Sequence, residues 1–455
     1  MNLTPLFKPR TMAVCGVSLS NDTHPANVIY NKNNLRYPIE TYALNPKGGT
    51  FQRNPLYPNF SELPIKIDLA VIATRAEAVE TVLADCLNNG VGAAVIVSAG
   101  FAEVGNIQLQ DRITEMAREA SFPIIGPNCL GIHCPTKFDT LFLPSERLVR
   151  PEKGNLAFIS QSGGVLVDQM LKFTGQGIGL SAGVSVGNKA VVRETDLLTY
   201  FDQDPATRVM AFYIEGFARN EGRRFVQIAQ SCRKPVVVMK AGKSPGGSRA
   251  ASSHTASMAG DYRVFTEVMK QHSIAVAKDE HELGAFCESL SSFEKRIEGR
   301  IGIISISGGH GVVAVDTCTE HGLQVPELEP ATQEAIIEKL NPSIKTIASV
   351  QNPVDLTGSS FDSDFVAVTD ILSRSEEVDA ILILLLPYSP GISTDISAKL
   401  SHIHQRDGKP MVAYVPKDEK YRIIIEGFEL SNVPVSPSIE GSVLMLEALR
   451  RCRKC

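Results

Sequence analysis

The sequence contains no tryptophan, and aromatic residues of any kind make up only 6% of its 455 residues. Stacking platforms of the kind that hold single-stranded nucleic acid are therefore not expected. Neither sign of charge dominates: 45 lysines and arginines stand against 50 aspartates and glutamates, for a formal charge of -5. That balance gives no electrostatic ground for nucleic acid or an anionic membrane as a partner. No apolar run approaches the roughly 20 residues of a spanning helix, and the longest, Ala380 to Pro387, has the size of a buried strand. Met1 to Arg10 carries two prolines and no apolar stretch, unlike a secretory signal. The nine cysteines are scattered, so reduced thiols in a cytoplasmic protein are the expectation. Cys452 and Cys455 form an isolated C-x-x-C, and no metal site is expected from it. The dinucleotide fingerprint G-x-G-x-x-G is absent, which argues against an NAD site.

What is present is an alternation of apolar strands and amphipathic helices. Strands are predicted at Thr11 to Ser18, Thr41 to Asn45, Ile67 to Thr74, Ala93 to Val97 and Pro123 to Ile125, with helices over Ala26 to Leu35, Ala76 to Asn89 and Gln108 to Ala120. Continuous apolar strands alternating with helices mean a parallel sheet covered on both faces. The reading is a Rossmann-like, doubly wound domain over residues 1–140. Ligands of such sheets lie at the carboxyl ends of the strands. Here those ends are Gly16-Val17-Ser18, Asn45-Pro46-Lys47, Ser98 to Phe101 and Gly126 to Cys129. Backbone N–H groups, a hydroxyl, a lysine and an amide suit a phosphate-rich ligand.

A charged, proline-flanked linker, Leu143 to Lys153, follows. Then Gly154 to Val165, GNLAFISQSGGV, reads as a strand, a small-residue turn and a helix start, an anion-binding arrangement. RIGIISISGGHGV at Arg300 to Val312 echoes it, and each copy continues to a Lys-Pro strand, at Lys234 and at Lys409. The chain thus reads as α/β, a Rossmann-like domain followed by two doubly wound domains of one type, over 150–295 and 300–455. The copies differ in chemistry. The strand Val209 to Ile214 runs into Glu215-Gly216, whereas the strand Ala380 to Leu386 runs into Pro387. Only the first copy continues into Lys240 to Ser253, a lysine-bearing loop of small residues expected to be mobile, and then His254. Imidazole is a nucleophile whose charge adjusts near neutral pH, and a histidine there suits uptake of a phosphoryl group.

Five motifs carry a resemblance over nearly the whole chain: GPNCLGI at Gly126 to Ile132, FISQSG at Phe158 to Gly163, GNKA at Gly187 to Ala190, SHT at Ser253 to Thr255 and NPVDLTG at Asn352 to Gly358. In these the chain resembles the α subunits of NDP-forming acyl-CoA synthetases, the ADP-forming acetate–CoA ligases related to succinyl-CoA synthetase. The resemblance implies a coenzyme A-binding Rossmann-like domain and two flavodoxin-like domains. It implies that acyl-CoA and phosphate give acyl phosphate and coenzyme A, that His254 takes the phosphoryl group, and that Glu215 orients it. It assigns Ser162, Gly163 and Gly164 to phosphate, and Gly16, Ser18, Lys47, Ser98, Phe101, Asn128 and Cys129 to the coenzyme side. No ATP-grasp domain is found in the chain. A separate ATP-grasp β subunit is implied, holding the nucleoside diphosphate with Mg2+, so a hetero-oligomer is expected.

The sequence departs from the family pattern at Ala256, where S-H-T-G is usual, and in the first loop, Gly16 to Asn27, which lacks the closing glycine of G-A-S-x-x-P-x-x-x-G. These departures define the alternative expectation, a regulatory protein that binds coenzyme A without turnover.

Overall fold

The computed structural model describes residues 1–255 and 261–452, without the side chains of residues 251–255. The chain divides into two compact units, Met1–Val276 and Ala277–Cys455.

The first unit holds two seven-stranded sheets. Strands β1 (Thr11–Cys15), β2 (Glu40–Leu44), β3 (Gly49–Phe51), β4 (Asn54–Tyr57), β5 (Leu69–Ile72), β6 (Ala93–Ile96) and β7 (Ile124–Ile125) form the first. Its order is β3-β4-β2-β1-β5-β6-β7, parallel except where β3 returns against β4. Every residue of β1, β5 and β6 is buried, as expected for strands covered by helices on both faces. Those helices include Pro25–Arg36, Ala76–Asn88 and Ile107–Glu119, within one or two residues of the sequence reading. The β3–β4 hairpin is an addition that the sequence reading did not contain.

The second sheet comprises β8 (Gly131–Cys134), β9 (Phe138–Asp139), β10 (Lys153–Ser160), β11 (Leu180–Ser185), β12 (Val209–Ile214), β13 (Val236–Lys240) and β14 (Ala275–Ala277). Its order is β14-β13-β12-β10-β11-β8-β9. β8 pairs antiparallel to β11 and β9 to β8. Residues 131–139, placed by sequence at the end of the first domain, thus hydrogen-bond into the second sheet, and the chain crosses between sheets through Gly126 to Leu130. One contiguous core runs from Val14, Val71 and Val95 beneath the first sheet to Ile159, Val184 and Phe212 beneath the second.

The linker is anchored by a buried ionic cluster. Asp139 is wholly buried and meets Lys32 at 3.0 Å and Arg150 at 2.5 Å. Lys32, from the first sheet's helix, also donates to the Leu141 carbonyl, and Arg150 donates to the Leu143 and Leu148 carbonyls.

In the second unit, β15 (Ile301–Ser305), β16 (Val354–Asp355), β17 (Ala380–Leu384), β18 (Met411–Tyr414) and β19 (Val435–Ser436) form a parallel sheet. The order β16-β15-β17-β18-β19 reproduces β11-β10-β12-β13-β14 of the second sheet, so the internal repeat is a repeat of topology. Both are the flavodoxin-like doubly wound arrangement. The helix Glu280–Ser292 packs on Ile439–Arg451, where Ser289 Oγ donates to the Met445 carbonyl at 2.7 Å. Among the described residues no helix is long and apolar enough to cross a membrane.

Candidate active site

The carboxyl ends of the first sheet set the residues expected on the coenzyme side into tightly made turns. At Gly16, φ is +95° and a Cβ would stand 2.4 Å from the Ala73 carbonyl oxygen, so only glycine fits. Ser18 shapes the loop that follows: its Oγ accepts from the N–H groups of Ser20 and Asn21, and Asn27 brackets its backbone at 2.7 and 2.8 Å. The longer first loop is closed by this asparagine rather than by the family's glycine. Lys47 is exposed, on a turn where its N–H donates to Asn45 Oδ1. Ser98 Oγ donates to the Thr74 carbonyl at 2.6 Å, and its own carbonyl receives the Asn128 N–H at 2.9 Å. The Phe101 ring is wholly buried in the first sheet's core, and its N–H donates to Glu103. What it offers a ligand is main chain, not ring. Cys129 is buried, its thiol donates to the Ile96 carbonyl at 3.3 Å, and burial pushes its pKa up to about 12. It is a neutral thiol with a structural partner, not a nucleophile.

The second sheet brings its first helix start against this loop. Ser162 caps Gly163–Gly175, its Oγ accepting from the Val165 N–H. A Cβ on Gly163 would lie 2.7 Å from the Leu130 side chain, while one on Gly164 would meet only Ser162 Oγ, at 3.9 Å. Gly163 is therefore a close-packing glycine beside Cys129-Leu130, and Gly164 faces open space. The unpaired N–H groups of this first turn and the helix dipole favour an anion there. Gly187 to Ala190 lock the same seam. Asn188 and Ala190 donate to the carbonyls of Pro127 and Gly126, at 2.9 and 3.1 Å. At Gly187, a Cβ would come within 2.4 Å of the Pro127 and Asn128 carbonyl oxygens.

Glu215 follows β12 and is 5% exposed. Its N–H donates to Gln161 Oε1 at 2.7 Å, and its carbonyl accepts from the buried Lys240 ammonium at 2.8 Å. Burial lowers the Lys240 pKa, and the Glu215 charge opposes that shift. The Gly216 carbonyl accepts from Gln161 Nε2 and from Lys189 Nζ at 2.8 and 2.6 Å, and Lys189 also pairs with Glu194 at 2.7 Å. Gln161, Lys189, Glu194 and Lys240 were not singled out by the sequence reading. Gln161 and Lys189 lie inside FISQSG and GNKA, which was the available signal; their roles depend on strand register.

One expectation needs correction. Much of the small-residue loop before the histidine is helical, over Pro245–Thr255. Ser244 opens it by accepting from the Gly247 N–H on Oγ and the Ser248 N–H on its carbonyl, and proline suits the first helical position. The His254 backbone stands in the last turn, but its side chain lies outside the described residues, as does all of Ala256. The helix Tyr262–Gln271 then follows, with Asp261 accepting from the N–H groups of Arg263 and Val264. Among the described residues no group of three or more His, Cys, Asp or Glu is placed to hold a metal ion.

A coenzyme-type Rossmann sheet joined to a repeated flavodoxin-like sheet, with an anion-ready helix start at the seam, defines a protein of the succinyl-CoA ligase class. Comparisons agree: residues 10–135 match the family model described as CoA binding domain, and residues 153–290 match that of the succinyl-CoA ligase like flavodoxin domain. The chain is 32% identical over its full length to the acetate–CoA ligase [ADP-forming] I α subunit of Pyrococcus furiosus, covering 98% of it. Over 84% of its length it is 36% identical to acetate–CoA ligase [ADP-forming] I of Archaeoglobus fulgidus, and it spans about half, 54%, of that relative. A solved structure from Ca. Korarchaeum cryptofilum, a dinucleotide forming acetyl-coenzyme A synthetase in complex with phosphate and ADP, matches with a TM-score of 0.90 at 30% identity, over 98% of this chain and 96% of that one. The chain belongs to the family of ADP-forming acetate–CoA ligase α subunits.

Proposed function

We propose that the chain is the α part of an NDP-forming acyl-CoA synthetase, working with a separate ATP-grasp β subunit in the cytoplasm. A phosphate oxygen attacks the thioester carbonyl of acyl-CoA, the C–S bond breaks, and coenzyme A leaves as thiolate. The imidazole of His254 then attacks phosphorus in the acyl phosphate, and the carboxylate leaves. Finally a nucleoside diphosphate, held with Mg2+ on the partner, takes the phosphoryl group as the P–N bond breaks. Gly16, Ser18, Lys47, Ser98, Asn128, Cys129 and the Phe101 main chain shape the coenzyme side, within a domain over residues 1–140. Ser162, Gly163 and Gly164 hold phosphate in the domain over 150–295, where Glu215 fixes the histidine tautomer. The domain over 300–455 repeats the scaffold.

The observation that carries this reading is the contact of Gly163 with Leu130. It sets the anion-ready helix start beside the turn that begins at Gly126, which supports phosphate and thioester being handled at one place. Phosphoryl transfer depends mainly on such positioning and on stabilising the oxyanions. The test is incubation with an ATP-grasp partner and labelled ATP. Acid-labile phosphate on His254 is expected, with His254→Ala losing both label and turnover. Full turnover by His254→Ala would overturn the mechanism.

A further inference from the structure

Gln161 spends its whole amide on one peptide unit and its support. The Oε1 atom accepts from the N–H groups of Glu215 and Gly216, at 2.7 and 3.1 Å. The Nε2 atom donates to the Gly216 carbonyl at 2.8 Å and to Glu194. These four bonds fill the two acceptor and two donor sites of an amide. The side chain is 5% exposed, so each bond is made away from competing water. From the opposite side Lys240 holds the Glu215 carbonyl. Glu215 therefore follows β12 on a main chain that is held at N–H and carbonyl alike.

The second flavodoxin-like sheet shows what the same backbone looks like without this clamp. In the second sheet Ser160 pairs with Tyr213, and Tyr213 with Met239. In the third, Ser305 pairs with Leu384, and Leu384 with Tyr414. Counting on from these partners, Gln161, Glu215, Gly216 and Lys240 correspond to Ile306, Leu386, Pro387 and Val415. The proline that follows the third sheet's strand thus stands for Gly216, and leucine for Glu215. Ile306, Leu386 and Val415 are buried, and Pro387 has no N–H to donate. The turn itself is retained. Ser160 Oγ donates to the Ser162 carbonyl at 2.6 Å, and Ser305 Oγ to that of Ser307 at 2.7 Å. The fold makes this strand end without an amide, so the turn alone does not require one. The amide occurs in the copy that has the carboxylate.

We infer that Gln161 is the positioning residue for Glu215, setting its carboxylate through the Glu215-Gly216 peptide. This rests on the proposed role of Glu215 as the orienter of the phosphorylated histidine. Gln161→Met keeps the length and bulk of the side chain and removes all four hydrogen bonds. With the ATP-grasp partner present, it is expected to slow transfer of label to the histidine about 10²-fold, the scale of an ångström-sized misplacement. The KM for coenzyme A should stay within about 3-fold, because the loss falls on the chemical step.

A double-mutant cycle separates positioning from a structural role. If Gln161 acts through Glu215, Gln161→Met combined with Glu215→Gln is no slower than Glu215→Gln alone. Losses that multiply, or a folded Gln161→Met at full rate, would overturn the proposal. Should Gln161→Met not fold, Gln161→Asn, which withdraws the amide by one methylene, is read through the same cycle. A Glu215→Gln variant at full rate would remove the underlying role of Glu215, a failure distinct from multiplying losses.

Discussion

His133 gives a pH dependence whose sign can be worked from the structure. The ring is 2% exposed and its Nδ1 stands 3.7 Å from Asp139. An aspartate beside a histidine usually raises the imidazole pKa. Here that carboxylate already faces the cations of Lys32 and Arg150, so protonating His133 would add a third positive charge to a buried site. Burial, the largest cause, lowers the His133 pKa to about 4 from 6.5; Asp139 opposes the shift, and Arg150 and Lys32 reinforce it. A base with a depressed folded-state pKa is protonated first in the unfolded chain. Its contribution is complete above pH 6.5 and is lost as pH falls through about 4. The full interval corresponds to about 3 kcal/mol, of which about 2.5 kcal/mol is lost by pH ~4.5. That is a large part of an ordinary domain's stability. The perturbation is His133→Phe, which keeps a planar ring and removes the titration. Denaturant unfolding of both proteins at pH ~7 and ~4.5 gives the difference between them, which cancels the carboxylates common to both. Wild type should lose about 2.5 kcal/mol more than the variant. Parallel losses would show that the ring does not titrate as argued. A relative gain by wild type on acidification would mean that the Asp139 ion pair, not burial, sets the imidazole.

Gly187→Ala should disrupt the seam. The new methyl would stand 2.4 Å from two carbonyl oxygens at a φ of +54°, and calorimetric titration should show weaker coenzyme A binding together with a lower Tm. Conformational strain alone accounts for about 1–2 kcal/mol; unchanged affinity would detach the GNKA turn from the coenzyme site. Lys47→Ala should weaken coenzyme A binding while leaving Tm within about 1 °C, since the side chain is exposed. Tight NAD binding with no coenzyme A signal would reverse the reading of this sheet.

Much of the fold was legible because apolar periodicity reports on burial. β1, β5 and β6 are continuous apolar runs, and they are wholly buried. What the sequence hid was pairing. By sequence, residues 131–134 fall in the first domain, yet Gly131–Cys134 joins β11, about fifty residues on, because antiparallel pairing leaves no mark in local composition. The Gly49–Tyr57 hairpin is short and crosses Pro55, so its period of two has no room to show. Pro245-Gly246-Gly247 reads as a loop, but Ser244 and Pro245 open a helix that the following alanines extend. At the site, Glu215 was visible through the contrast between the two copies. Gln161 was not, since only the register shows that Ile306, Leu386, Pro387 and Val415 replace the polar set together.

The passage of the chain from the first sheet to the second through Gly126 to Leu130 has a mechanical meaning. This turn is at once the covalent joint between the two sheets and the floor against which the anion-ready helix rests. It is fastened on one side by Ser98 and on the other by Asn188 and Ala190. A shared core lies beneath both sheets, so they cannot swing about the joint as independent leaves. The seam is accordingly preorganised. A ligand binding there would forgo the entropic penalty of drawing two lobes together, and differences in affinity among ligands would be decided by fit to a stiff mould, chiefly through dissociation rates.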